Sequence, residues 1–204
     1  MGDTAAFGQY ERIVQQVCQL SKEAAPYSAW HQSHCARIYG HALEIARLEG
    51  IAVDPVVLIL ASYLHSFGSF DKYREIGVGK SVRSAQIASQ ILQGENLAEE
   101  KTRLVVKVIE GHEHFATPDT SCAEAVVFHD ANALSFLGSG AIMMMHGIAG
   151  RGNGAKNIDE CNATLLRYKE QLPKSIITKS GQAIATQKVR EMEHFFSYKG
   201  GKRK

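Results

Sequence analysis

The sequence lacks any charge excess that would point to nucleic acid. Among 204 residues, 23 lysines and arginines stand against 21 aspartates and glutamates, a formal net charge of +2. The only basic run is the tail, Lys199 to Lys204, which reads as a solvated terminus. Cysteine is scarce: Cys18, Cys35, Cys122 and Cys161 form no CxxC pair. That excludes a zinc knuckle and a disulfide framework, and it fits reduced thiols in a cytoplasmic protein. No basic segment followed by an apolar one stands at the N-terminus, so no signal peptide is expected. The longest apolar run is about half of what spans a bilayer, so no membrane partner is expected. Alternating strand patterns are absent, as are internal repeats and any linker long enough to divide the chain.

What remains is helical periodicity throughout, and an all-α single domain over residues 1–204 is the expectation. Its central stretch is Asp54 to Asp71, DPVVLILASYLHSFGSFD. Asp54 can cap a helix and Pro55 suits its first position. Val56 to Leu64 is apolar almost all round, so this helix should be interior. Before it, Ala5 to Ala25 carries Ile13, Val14, Val17 and Leu20 at helical spacing. Ser28 to Glu49 follows, with the stripe Ile38, Ala42, Ile45 and Leu48, and stops at Gly50. After a loop from Gly68 to Lys80, Ser81 opens a helix closed by Gly94. Asn96 with Glu99, and Ser121 with Glu124, read as capping pairs for the next two helices. A Met-rich segment, Ala141 to Ala149, reads as core filler. Gly150 to Gly154 reads as a flexible loop. Asp159 to Leu172 should stop at Pro173, and Gly181 to Tyr198 should form the last helix.

Three polar residues fall on faces expected to be buried. His34 is one turn before Ile38, His65 one turn after Ala61, and Asp130 lies between Val126 and Leu134. Buried carboxylates are normally paired or given a metal. Two histidines and an aspartate from three helices form a metal-binding set. His129 should point away from the Asp130 face.

The ordered set resembles the HD-domain phosphohydrolases, all-helical proteins with the order H…HD…D. His34-Cys35-Ala36-Arg37-Ile38 is similar to the family's HxxRV segment. Leu64-His65-Ser66-Phe67-Gly68 is similar to its LLHDIG signature, and Ser84 to Ala88 to its SAEIA-like helix start. Asp130-Ala131-Asn132-Ala133-Leu134-Ser135-Phe136-Leu137-Gly138 is similar to its DADxLxxLG segment, where the last ligand lies. The motif core spans about 28–147, with the terminal helices packed on it. The tail from Thr178 to Phe196, with Arg190, resembles the bacterial HD-domain nucleotide pyrophosphohydrolases.

The resemblance implies a metal-dependent phosphohydrolase holding a divalent ion (Mn, Fe, Ni or Mg) on His34, His65 and Asp130. One departure stands out: Ser66 occupies the place of the family's aspartate. A neutral hydroxyl is a poor ligand for a hard cation. Loss of even an outer partner commonly costs about 10–100-fold in affinity. Lys80 or a neighbour stands where binuclear members carry a further histidine. The implied site is therefore weak and mononuclear. Asp71 would orient the attacking water, and His112 aligns loosely with a position that binds metal or substrate. Lys72, Lys80 and Arg83 would meet the phosphate of a nucleotide or other small phosphoester. The rival expectation is a metal-free protein that kept the fold and binds a ligand or partner without hydrolysis. Another metal-dependent chemistry, such as oxygenation, also stays open. Amphipathic outer helices leave room for a homodimer.

Overall fold

A computed structural model of the chain describes residues 4–25, 27–115, 117–151 and 155–199. Among them are α1 (Glu11–Ala24), α2 (Ser28–Glu49), α3 (Pro55–Leu64), α4 (Lys80–Gly94) and α5 (Glu99–Glu110). Then come α6 (Ala123–Ser135), α7 (Gly138–Ile148), α8 (Ile158–Ser175) and α9 (Lys179–Lys199). Two 3₁₀ segments, Thr4–Tyr10 and Phe67–Ser69, complete the described elements, and no strand is among them.

The centre is α3. All its residues but Pro55 and Tyr63 are buried, as an all-round apolar helix requires. It packs against α1, α2 and α5, while α2 lies along α6 and α4 along α5. Its start is fixed by Asp54, whose Oδ1 accepts from the amides of Val56 at 2.8 Å and Val57 at 3.4 Å. The Asp54 amide donates to Glu124 Oε1 at 2.9 Å, and Lys101 pairs with Oδ2. One aspartate thus caps α3 and ties it to α5 and α6.

Gly68 sets the far end. A Cβ there would collide with the Lys80 carbonyl and stand 2.8 Å from the Ser84 amide nitrogen. The Gly68 amide donates to Ser84 Oγ at 2.8 Å, drawing the turn after α3 onto the start of α4. Gly68→Ala should therefore lower stability by about 1–3 kcal/mol through forced backbone separation. A denaturant midpoint unchanged from wild type would show that α4 yields without cost.

Several local expectations need correction. Leu48 is 49% exposed, although Ile45 and Ala46 of the same end of α2 are buried. The first helix is interrupted, with 3₁₀ geometry and a positive φ at Gly8 before α1 begins. Neither capping pair forms. Asn96 instead takes a left-handed turn (φ 58°), which asparagine tolerates, and Glu99 binds Arg103. Ser121 Oγ donates to Asp119 while Glu124 serves Asp54. Pro173 lies inside α8 rather than ending it. It falls in the last turn, where Ser175 Oγ donates to the Leu172 carbonyl. Met143 is exposed, although Met144 is buried. Residues 152–154 of the glycine loop and 200–204 of the basic tail lie outside the described residues.

Candidate active site

The C-terminal end of α3 opens into a cavity of about 660 Å³. Its wall combines histidines from separate elements: His31 and His34 of α2, His65 just past α3, and His112 and His114 past α5. The His34 and His65 rings have centroids 5.3 Å apart, and those of His65 and His112 5.1 Å. Aromatic rings complete the wall. Trp30 stacks on His34 at 5.8 Å, Phe136 lies 5.0 Å from His34, and Phe70 meets His31 edge-on at 5.3 Å. Ser66, Lys80 and Asn132 also line the space.

Burial sets the protonation of this cluster. It holds His34 and His65 well below the usual imidazole range, with the neighbouring histidines adding to the effect. Burial lowers His31 to about 4, His114 to about 3, and His112 as well. The rings are therefore neutral near pH 7, and each has one proton to place. His65 Nδ1 faces the Ser62 carbonyl at 2.8 Å, and a carbonyl can only accept. The proton thus sits on Nδ1, leaving a lone pair on Nε2. Ser66 Oγ donates to that lone pair at 2.9 Å. His112 has the same arrangement, with Nδ1–H on the Ile109 carbonyl. Ser135 Oγ donates to the Asn132 carbonyl at 2.7 Å, so it accepts from His34 Nδ1 at 3.4 Å. Three neutral imidazoles are oriented as proton acceptors through Nε2.

No protein-family model matches the chain, and no curated protein matches it in sequence. Solved structures do match over nearly their whole length. A predicted HD superfamily hydrolase from an uncultured Thermotogales bacterium is 22% identical, with 94% of each chain covered and a TM-score of 0.62. An HD-superfamily hydrolase from Bacillus thuringiensis is 18% identical, covering 93% of this chain and 96% of its own, with a TM-score of 0.64. Bacillus subtilis YpgQ in complex with ADP is 15% identical, covering 91% and 94%, with a TM-score of 0.61. This chain has the HD-hydrolase fold.

Within that HD fold, the expected site residues divide. His34, His65, Ser66, His112 and Lys80 come together at the cavity. Asp130 does not, which corrects the expected metal set. It is fully buried, and its carboxylate accepts from the amides of Ile177 (3.0 and 3.2 Å) and Thr178 (2.8 Å). Thr178 Oγ1 donates to it at 2.7 Å and His129 Nδ1 at 3.1 Å. Asp130 thus ties α6 to the start of α9, and His129 is its buried partner rather than a residue turned away. Asp71 is also misplaced as a water-orienting group: its side chain is 94% exposed and pairs with Arg74. Lys72 lies over the Tyr73 ring, and Arg83 is engaged by Glu75 and the Tyr73 carbonyl, so neither lines the cavity.

The residue of α6 that reaches the cavity is Asn132, two positions past Asp130 and so on another side of the helix. Its Nδ2 donates to the His112 carbonyl at 2.8 Å, and its Oδ1 is buried without a partner among the described residues. Periodicity missed it because α6 is buried on every side from Val127 to Ser135. His31 was missed too, though it lies one turn before His34 on the same face.

The donor set does not fit a hard divalent ion such as Mg²⁺ or Mn²⁺. Ser66 and Asn132 are neutral where a hard cation needs anionic oxygen. Among the described residues, the single carboxylate on the wall is the exposed Glu113. His65 Nε2 already accepts from Ser66. Among the described residues, no group of three or more histidine, cysteine or acidic side chains is placed to share an ion. No helix among them is long and apolar enough to cross a membrane.

Proposed function

We propose that this protein is a hydrolase of a small phosphoester, with His65 in the histidine cavity as its general base. The observation that carries this reading is the pose of His65. The ring is buried and neutral, and the Ser62 carbonyl holds its proton on Nδ1, so the Nε2 lone pair, on which Ser66 Oγ donates, can take a proton from an attacking hydroxyl. Lys80 at the mouth supplies positive charge for a phosphate, as a point-charge donor. Trp30, Phe70 and Phe136 offer flat apolar faces for a base or other ring. A nucleotide is accordingly the first substrate to try, and the ADP bound by the Bacillus subtilis protein of the same fold supports that choice. Asp130, whose carboxylate is taken up by the Ile177 and Thr178 amides, is not offered to an ion at this cavity.

The test is to offer nucleotides and aryl phosphates to the purified protein, once with a chelator and once with excess Mn²⁺. Turnover should persist in the chelator and fall by about 100-fold or more in His65→Ala. Turnover that requires Mn²⁺ would restore the mononuclear-metal scheme. None under either condition, with the fold intact, would leave a cavity that binds without hydrolysing.

A further inference from the structure

We propose that Ser66 is a nucleophile activated by His65, so that this site works through a covalent seryl intermediate. The inference rests on the hydrolase reading above and adds the identity of the attacking group. Its basis is a chain of three groups in contact. The Ser62 carbonyl accepts from His65 Nδ1 at 2.8 Å, and His65 Nε2 accepts from Ser66 Oγ at 2.9 Å. This is the hydroxyl, base and orienting acceptor that nucleophilic catalysis requires, all within hydrogen-bonding reach. The groups are held rigidly. Ser62 lies in the buried helix α3, its own hydroxyl bonded to the Leu58 carbonyl at 2.7 Å. Gly68, pinned against α4, fixes the turn on the other side of Ser66.

Ser66 also has the access a nucleophile needs. It is half-buried and lines the cavity, whereas Ser62 beneath it is fully enclosed. Lys80 lines the same space and can offset the charge of a phosphoryl group brought to Ser66. The hydroxyl that replaces the fold's usual carboxylate is thus paired with the base beside it instead of with an ion.

The reaction needs no co-reactant other than water. The Ser66 Oγ–H proton passes to His65 Nε2 as Oγ bonds to phosphorus. The ester bond to the leaving oxygen breaks, and that oxygen takes the proton from Nε2. Water then attacks the phosphoseryl group, giving one proton to Nε2. The Oγ–P bond breaks, and Oγ recovers the proton. The sum is hydrolysis of one phosphoester bond.

A fluorophosphonate ester tests this directly, because it reports the nucleophile without any need to know the substrate. The full chain is incubated with the reagent near pH 7.5, and intact mass and peptide mapping locate the adduct. One phosphonyl group per chain, on Ser66, with one fluoride released, is the expected result. The adduct should vanish in Ser66→Ala and form at least about 100-fold more slowly in His65→Gln. Circular dichroism verifies that both variants are folded. A folded wild-type chain left unlabelled, or labelled only elsewhere, overturns the proposal. Phosphoester turnover by a chain whose Ser66 stays unlabelled overturns the nucleophile and leaves the hydrolase reading intact. Labelling of Ser66 with no phosphoester turned over keeps the nucleophile and rejects the phosphoester reading.

Discussion

Acidification below about pH 6.5 should strip this protein of stability steeply, beginning above the pH at which carboxylates titrate. In the folded chain, burial lowers His31 to about 4 and His114 to about 3. It pushes His34, His65 and His112 down as well. In the unfolded chain these imidazoles titrate near 6.5. Between the two values the unfolded chain binds protons that the folded one refuses, so stability rises with pH there and is lost as pH falls. It is fully present above the unfolded value. Each such histidine removes up to about 1.4 kcal/mol per pH unit. Three acting together would take about 4 kcal/mol per unit, from a total that is commonly about 5–15 kcal/mol. Urea midpoints measured from pH 7.5 down to 4.5 read this directly. The midpoint should hold above pH 7 and collapse between about pH 6 and pH 4.5. A flat profile across that range would mean that the cluster is hydrated and can take protons in place.

Asp130→Ala should cost about 3 kcal/mol or more of stability in metal-free buffer. The carboxylate receives the Ile177 and Thr178 amides, the Thr178 hydroxyl and the His129 ring. Removing it strands several donors, and each buried, unsatisfied one costs about 1–3 kcal/mol. Helix α9 then loses the anchor at its start and should loosen from α6 and α7, which it packs against. A metal ligand behaves otherwise: in metal-free buffer its removal leaves stability much as it was, and the loss appears as metal affinity. Denaturant unfolding of Asp130→Ala with a chelator present separates the two roles. A midpoint equal to wild type would return Asp130 to the list of candidate ligands.

Much of the fold was legible because its signals are local. The Asp54–Pro55 start of α3, its apolar face on every side and the histidine at its end are properties of consecutive residues. Gly50 ends α2 in the left-handed conformation that a C-terminal glycine offers. Other local signals misled where a side chain had a better partner elsewhere. Glu124 reads as a cap for its own helix, yet it accepts the Asp54 amide seventy positions away. Pro173 reads as a stop, yet α8 is already in its last turn there.

The site divides along the same line. Local residue order was enough for the all-helical class, for His34 on α2 and His65 at the end of the buried α3, and for the serine where the resembling family has an acid. Which side chains of α6 meet them depends on how the helices pack. Asp130 and Asn132 lie on a helix enclosed all round, and periodicity cannot say which buried face looks onto a cavity and which onto a neighbouring helix. That depends on where α9 docks and on the amides it brings to Asp130. The same holds for the proton on His65: the Ser62 carbonyl fixes it on Nδ1, and only the folded turn after α3 brings Ser66 within reach of the opposite nitrogen.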